Sequence, residues 1–266
     1  MRSLQHAVCA CTLTLIPSSA VTLDTRIISL TITARQQPSR HGNPAASSST
    51  TSIQSNRPTH FIALRLPDPA LHDHVTRLQQ EIISREPGAR GCEVEPIKSH
   101  LTGFVMSLPD AEAVATAKVA LASCASLVEA ARPPPLVHLV GLGAFGQRVC
   151  YVAVKEDSEL ARVRALVAGC AKSFSEHGLS VQQAGDWIPH MTLLKTSRAP
   201  RGGGRGRGRA RGRGQQPRIR PATYSDLSDA DFGVHALTEL ALCQMAGTAA
   251  DGFYPTVAAL PTSGGH

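Results

Sequence analysis

The chain has 266 residues, enough for one large domain or two small ones with a sizeable core. Apolar residues make up 42% and charged residues 18%, which is ordinary for a globular protein and excludes a wholly disordered chain. Seven cysteines lack the spacing of metal ligands, so we expect buried free thiols, a reducing compartment, and neither a metal nor another cofactor.

The net charge of +7 suggests a nucleic-acid-binding protein until it is divided along the chain. Residues 1–58 carry +4 and residues 198–220 carry +9, which leaves −6 for the rest. The basic character therefore lies in two appendages, and the net charge does not identify what the folded part binds. No apolar stretch approaches the roughly 18 to 20 residues that span a bilayer, so we expect no integral membrane segment.

Residues 1–58 have the composition of an N-terminal extension, rich in Arg, Ser and Thr, with one acid, Asp24. This composition suits an organellar targeting peptide or a plain disordered extension. The apolar stretch 7–16, followed by small residues, also resembles a secretory signal. A chloroplast, a mitochondrion, the cytoplasm and the nucleus all remain open, and secretion is less favoured.

Strand and helix patterns alternate from residue 59 onward. The first half predicts a strand at 60–66, a helix from Pro69 to Pro87, a strand at 100–106 and a long helix at 110–131. The second half predicts strands at 136–142 and 149–154, a helix at 158–177, a strand at 190–196 and closing strands at 236–245 and 253–260. The similar order of the two halves indicates an internal duplication.

A Gly/Arg-rich segment at 198–220 interrupts the second half. It has almost nothing apolar to bury and is predicted to be disordered. We therefore expect a single domain at 59–260 that carries this insertion, with a tail at 261–266. Six arginines of the insertion are candidates for contacting RNA: Arg201, Arg205, Arg207, Arg209, Arg211 and Arg213.

Two H-x-T motifs begin predicted strands ninety positions apart, His100 with Thr102 and His190 with Thr192. In a strand, residues i and i+2 project from the same face about 6.6 to 6.8 Å apart, so each pair forms a small polar platform. Facing platforms suit metal-free phosphodiester cleavage, because one imidazole can accept a proton while the other donates one. The two threonines could donate hydrogen bonds to the phosphate oxygens.

Two lysines flank these motifs, Lys98 and Lys195, and both are candidates for binding the phosphate. Lys195 is out of strand phase with His190, which favours the opposite face. A single H-x-T motif occurs by chance, and only the matched pair favours catalysis. The other histidines considered, His72, His74, His138 and His235, are expected to be structural.

The chain resembles the 2H phosphoesterases, and more closely the LigT-like phosphoesterase domain of A-kinase anchoring proteins. The signatures lie at residues 60–66, 99–108, 189–197, 224, 232–233, 240–245 and 252–254, so the likeness covers roughly residues 59–260. The resemblance implies a bilobed, duplicated α+β fold in which two antiparallel sheets, flanked by helices, surround a central cleft.

The same resemblance implies activity on 2',3'-cyclic or 2',5'-linked ribonucleotides, with His100, Thr102, His190 and Thr192 as the catalytic set. It also implies an aromatic residue that stacks on a base, for which Trp187 and Phe61 are candidates. The expected partner is RNA or an oligonucleotide phosphodiester, and the expected state is a monomer. The alternative is a non-catalytic nucleotide- or RNA-binding module that uses the same cleft and the Arg-rich segment.

Overall fold

The computed structural model describes residues 57–182, 187–199 and 217–262. Most of the predicted extension at 1–58, most of the Gly/Arg-rich segment and most of the tail lie outside these residues. Both ends of that segment are described: Arg198 ends a short 3-10 helix, and Ile219 is buried. Disorder at 200–216 therefore stays a prediction, whereas the residues on either side belong to the folded domain.

The described residues form four α-helices and nine strands. The helices are α1 (Pro69–Arg85), α2 (Ala111–Ser123), α3 (Ala125–Ala130) and α4 (Ser158–Glu176). The strands are β1 (His60–Arg65), β2 (His100–Met106), β3 (Leu136–Phe145), β4 (Val149–Val154), β5 (Val181–Gln182), β6 (His190–Lys195), β7 (Asp231–Ala236), β8 (Glu239–Gln244) and β9 (Thr256–Pro261).

The strands form one antiparallel sheet in the order β7-β3-β4-β6-β2-β1-β8-β9, with β5 also paired to β2. The α+β class and the antiparallel strands are confirmed. The two expected sheets are two halves of this single sheet, because β2 and β6 pair at its centre through Leu101 and Met191. The two H-x-T strands are therefore direct neighbours.

Aspartate side chains begin three of the helices. Asp68, Asp110 and Asp157 precede α1, α2 and α4, and each carboxylate accepts a backbone N–H of the first turn. Such a cap stabilises a helix by about 1 kcal/mol. The buried faces of α1 and α4 then cover the side of the sheet on which Leu101 and Met191 point inward, which leaves the histidines on the opposite side.

The predicted long helix at 110–131 is wrong in one respect, because it breaks at Cys124 into α2 and α3. The expectation that no apolar stretch has membrane-spanning length is also wrong. The segment Ala111–Ala130 has 20 residues and is long and apolar enough to cross a bilayer by length and composition alone. One such helix is weak evidence for a membrane span. Ala117, Ala120 and Leu121 of this segment are buried in the protein core.

Three strands of the second half differ from the prediction: β3 is longer, and neither β5 nor β7 was predicted. β3 runs through Gly141 and Gly143 as far as Phe145, three residues beyond the predicted end of this strand at residue 142. β7 was not predicted, and it pairs with β3 at the outer edge of the sheet. Five cysteines are buried and free, as expected: Cys92, Cys124, Cys150, Cys170 and Cys243.

Candidate active site

The pairing of β2 with β6 brings the two H-x-T motifs together. Leu101 lies opposite Met191 in an antiparallel register, so His100 is level with Thr192 and Thr102 is level with His190. Leu101 and Met191 are both buried, whereas the four motif residues are only partly buried on the other side. The duplicated sequence thus produces a nearly two-fold arrangement of two imidazoles and two hydroxyls.

The same backbone contact orients both imidazoles. Nδ1 of His100 lies 2.7 Å from the carbonyl oxygen of Lys98, and Nδ1 of His190 lies 2.8 Å from that of Ile188. Because a carbonyl oxygen only accepts hydrogen bonds, each Nδ1 carries the proton and donates. In the neutral ring Nε2 is then an acceptor, and that of His100 lies 3.1 Å from the hydroxyl oxygen of Thr102.

The surroundings favour the neutral form of both rings. Burial lowers the pKa of His100 to about 4, with smaller contributions from the positive charges of His190 and Lys195. Burial also lowers the pKa of His190, and Lys195 again contributes. Imidazoles with lowered pKa values are ready to accept protons at neutral pH.

A bulge in β6 places Lys195 on the side of the histidines. Leu193 and Leu194 are both buried, and the pairing with β4 shifts by one residue near this point. The extra residue reverses the strand phase, so Lys195 lines the same cavity as Thr192. The expectation from strand phase that Lys195 faces away is therefore wrong.

A buried amide holds this bulge in place. Nε2 of Gln79, on α1, donates to the carbonyl oxygens of Val94 and Leu193 at 2.7 and 2.9 Å. Gln79 is only 6% exposed, so its amide replaces the water that these oxygens would otherwise bind. The polar side chain at this core position thereby supports the bulge that presents Lys195.

A cavity of about 310 Å³ opens beside His100. It is lined by Phe61, Thr102, Thr192, Lys195 and Tyr254, among others. The ring of Phe61 is buried and lies 5.1 Å from the ring of His100, so this predicted stacking residue is in the cavity wall. The cavity brings together the imidazole, both hydroxyls and two cations, Lys195 and Arg198.

Lys98 and Arg198 share the acidic partner Glu95, but only Arg198 lines this cavity, whereas Lys98 is buried. Nζ of Lys98 is 2.9 Å from the hydroxyl oxygen of Thr248 and 3.6 Å from Glu95, and it lies over the ring of Tyr254. Arg198 donates to Glu95 and lines the cavity. Lys98 thus braces Tyr254, whereas Arg198 is a cation at the cavity that the motif analysis missed.

Two aromatic rings flank His190. Its ring centroid lies 4.9 Å from that of Phe145 and 5.1 Å from that of Tyr151. Gly143 makes room for this packing, because a Cβ there would lie 2.4 Å from the ring of Tyr151. Neither aromatic residue was predicted from the sequence, since both belong to strands that carry no motif.

Trp187 lies at the junction of the two halves of the sheet. Its indole N–H donates to the carbonyl oxygen of Thr102 at 2.8 Å, so the chain that enters β6 is bonded to β2. Trp187 does not line the cavity beside His100 and instead lines a second cavity beside His190. Its backbone oxygen accepts a hydrogen bond from Arg164 of α4 at 2.7 Å.

The other histidines have local partners. His72 contacts the carbonyl oxygen of Leu66, and His74 stacks on Phe232. His138 lies 2.9 Å from Asp231, and His235 lies 3.1 Å from Asp68. Among the described histidines, only His100 and His190 occur in the paired arrangement described above.

Comparison with known proteins gives a match over nearly all of the described residues. A family model described as the AKAP7 2'5' RNA ligase-like domain matches residues 58–261. Human A-kinase anchor protein 7 isoform gamma is 23% identical over 193 residues, which cover 71% of this chain and 52% of that protein. The chain therefore spans about half the length of this curated relative.

Solved structures of Escherichia coli LigT are also similar. The apo form gives a TM-score of 0.48 at 16% identity and covers 78% of this chain and 98% of LigT. The complex with 3'-AMP gives 0.46 at 17% identity and covers 77% and 97%. These distant likenesses add little to the family match, which covers well over half of the chain. The chain belongs to the AKAP7 2'5' RNA ligase-like domain family of LigT-like 2H phosphoesterases.

Proposed function

We propose that this protein is a phosphodiesterase that cleaves 2',3'-cyclic or 2',5'-linked ribonucleotides by acid–base catalysis. The observation that carries the proposal is the pairing of the two H-x-T strands, in which the Nδ1 atom of each histidine bonds to the backbone carbonyl oxygen two residues before it. Both imidazoles have their Nδ1 atoms bonded to backbone, so Nε2 is the atom of each ring that transfers the proton, and that of His100 exchanges its contact with Thr102 for the attacking hydroxyl or water. A proton acceptor and a proton donor on either side of one phosphate are what this reaction requires.

His100 is the base and His190 is the acid in this proposal. Burial is the main cause that lowers the pKa of His100, and the positive charge of His190 lowers it further. A single proton shared by the two rings therefore resides on His190, because that arrangement leaves the more buried ring neutral. An anionic phosphate in the cleft favours a protonated imidazole, which supports the same assignment.

The reaction then proceeds by one displacement at phosphorus. Nε2 of His100 takes a proton from the attacking hydroxyl or water, and the attacking oxygen forms the new bond to phosphorus. The bond to the leaving oxygen breaks, and His190 gives its proton to that oxygen. Thr102, Thr192 and Lys195 stabilise the charge that develops on the non-bridging oxygens.

The test is turnover of matched 2',3'-cyclic, 2',5'-linked and 3',5'-linked substrates in EDTA. His100→Ala and His190→Ala should each abolish cleavage, whereas His72→Gln, the control, should retain it. Circular dichroism checks that the variants fold. Cleavage that survives both alanine substitutions would refute the mechanism, and the substrate turned over by the unmodified protein identifies the linkage.

The Arg-rich segment contributes to RNA affinity in a second part of this proposal. Arg198, the first residue of the segment, lines the cavity, and the six candidate arginines from Arg201 to Arg213 follow it along the chain. Deletion of residues 202–214 should weaken RNA binding and flatten its salt dependence, because fewer counterions are released. An unchanged salt slope contradicts this role. Salt-dependent binding without any product supports the non-catalytic module instead.

A further inference from the structure

A second cavity, of about 560 Å³, opens beside His190 on the side away from His100. We call it the His190 recess, and it is lined by Tyr151, Glu156, Arg164, Trp187, Ile188 and Pro189, among others. Ile188 and Pro189 directly precede His190, and the ring of Tyr151 lies 5.1 Å from its ring. The volume lies within the range of about 300 to 1,000 Å³ that is typical of small-molecule sites.

The lining of the His190 recess combines two aromatic side chains, Trp187 and Tyr151, with one ion pair. Arg164 donates to Glu156 at 2.5 Å and to the backbone of Trp187 at 2.7 Å, and its guanidinium carbon lies 5.8 Å from the centre of the indole. These two bonds use two of the five N–H donors of an arginine. The carboxylate of Glu156 only accepts hydrogen bonds, and its side chain is 74% exposed.

We propose that the His190 recess binds the nucleoside on the leaving side of the phosphodiester. This inference rests on the proposed function, in which His190 gives its proton to the leaving oxygen. A group attached to that oxygen must lie on the His190 side, and the recess is the cavity found there. The nucleoside on the other side of the phosphate then lies in the cavity beside His100.

A nucleobase matches the chemistry of this lining. Its flat face packs against aromatic rings such as Trp187 and Tyr151. Its edge carries both donors and acceptors, which pair with the carboxylate of Glu156 and the guanidinium of Arg164. An exocyclic amino group opposite Glu156 gives this site a preference for adenine over hypoxanthine, which has a carbonyl group at that position.

The experiment compares two substrates that share the nucleoside beside His100. One is 2',5'-linked adenylyl-adenosine, and the other is adenosine 2'-(4-nitrophenyl phosphate), which has no leaving nucleoside. Arg164→Met should lower the ratio of their kcat/KM values about 10- to 100-fold, the effect of losing hydrogen bonds to a charged group. Lys172→Met, which removes a charge that is 79% exposed on the same helix, is the control and should leave the ratio unchanged.

Glu156→Gln supplies a second variant at an exposed position that does not put folding at risk. It should reduce the preference for an adenosine over an inosine leaving group. Equal loss on both substrates in Arg164→Met, with no change in base preference in Glu156→Gln, would overturn the proposal and leave Arg164 a structural role.

Binding separates failure of the His190 recess from failure of the proposed function. If neither substrate is cleaved, the proposed function fails, and calorimetric titration still tests the recess. Unmodified protein should then bind adenylyl-adenosine more tightly than adenosine 2'-phosphate, and Arg164→Met should remove that difference. Equal affinities for the two ligands in the unmodified protein would refute a second nucleoside site.

Discussion

Replacement of His100 by Asn should change how the stability of the fold depends on pH. The substitution keeps a donor near the position of Nδ1 and removes the titrating ring. The pKa of His100 is about 4 in the folded protein and 6.5 in the reference state. As the pH falls from 6.5 to 4, the unfolded chain therefore binds this proton before the folded protein does, and the folded state loses stability.

The difference between these pKa values sets the size of the effect. Each pH unit between them corresponds to about 1.4 kcal/mol, so His100 destabilises the fold by about 3 kcal/mol at pH 4 relative to pH 7.5. The His100→Asn protein lacks this contribution. The free energy of unfolding, measured by urea titration at several pH values, should therefore fall less steeply with acidification in the variant by about that amount.

The comparison cancels the other titrating groups, because both proteins contain them. Parallel curves for the two proteins between pH 7.5 and pH 4 would refute the account of His100. They would mean that its ring is solvated in the folded protein and that its pKa is ordinary, which would remove the reason to assign it as the base.

Three further substitutions test other parts of the site. Gln79→Leu removes the side-chain donor to the carbonyl oxygen of Val94 and one of the two donors to that of Leu193, which keeps the N–H of Val94. It should lower the free energy of unfolding by about 2 kcal/mol, measured with urea, and a loss below about 0.5 kcal/mol would contradict its role in the bulge. Lys195→Met removes a charge that lowers the pKa of both histidines. The acid limb of the pH profile of kcat/KM should therefore move to higher pH. A shift to lower pH would contradict the placement of Lys195. Trp187→Phe removes the hydrogen bond to Thr102 and should lower the free energy of unfolding by about 1 kcal/mol. It should also lower kcat more than it raises KM. An unchanged kcat would show that this bond does not position the strands.

The strands that carry the histidines could be predicted because their signal is local. His100 and His190 each begin an apolar run of strand length, and the Thr two residues later lies on the same face. Helices α1 and α4 were equally clear, because apolar residues at helical spacing mark each of them. These features depend on a few neighbouring residues.

The features that were missed depend on contacts between distant residues. Lys195 changes sides of the sheet because of a bulge in β6 that Gln79 of α1 supports. The alternation of residues along the strand does not reveal this bulge. Phe145 and Tyr151 approach His190 only after β3, β4 and β6 pair. Pairing between distant strands was the information that the sequence patterns lacked.

The order of β2 and β6 in the sheet is a further example. The resemblance predicted two sheets around a cleft, and the structure joins them through one residue pair, Leu101 with Met191. One such pair is too short a contact to leave a pattern in either strand. Trp187 reinforces the same junction through the hydrogen bond of its indole N–H to Thr102.

Leaving-group dependence tests the central claim, paired-histidine acid–base catalysis, most directly. Turnover of adenylyl-adenosine and adenosine 2'-(4-nitrophenyl phosphate) would be compared for the unmodified protein, His100→Ala and His190→Ala. The nitrophenolate leaves without protonation, so His190→Ala should lose about 10²- to 10⁴-fold on the dinucleotide and far less on the nitrophenyl ester, whereas His100→Ala should lose activity on both. Equal losses on both substrates in His190→Ala would contradict its assignment as the acid.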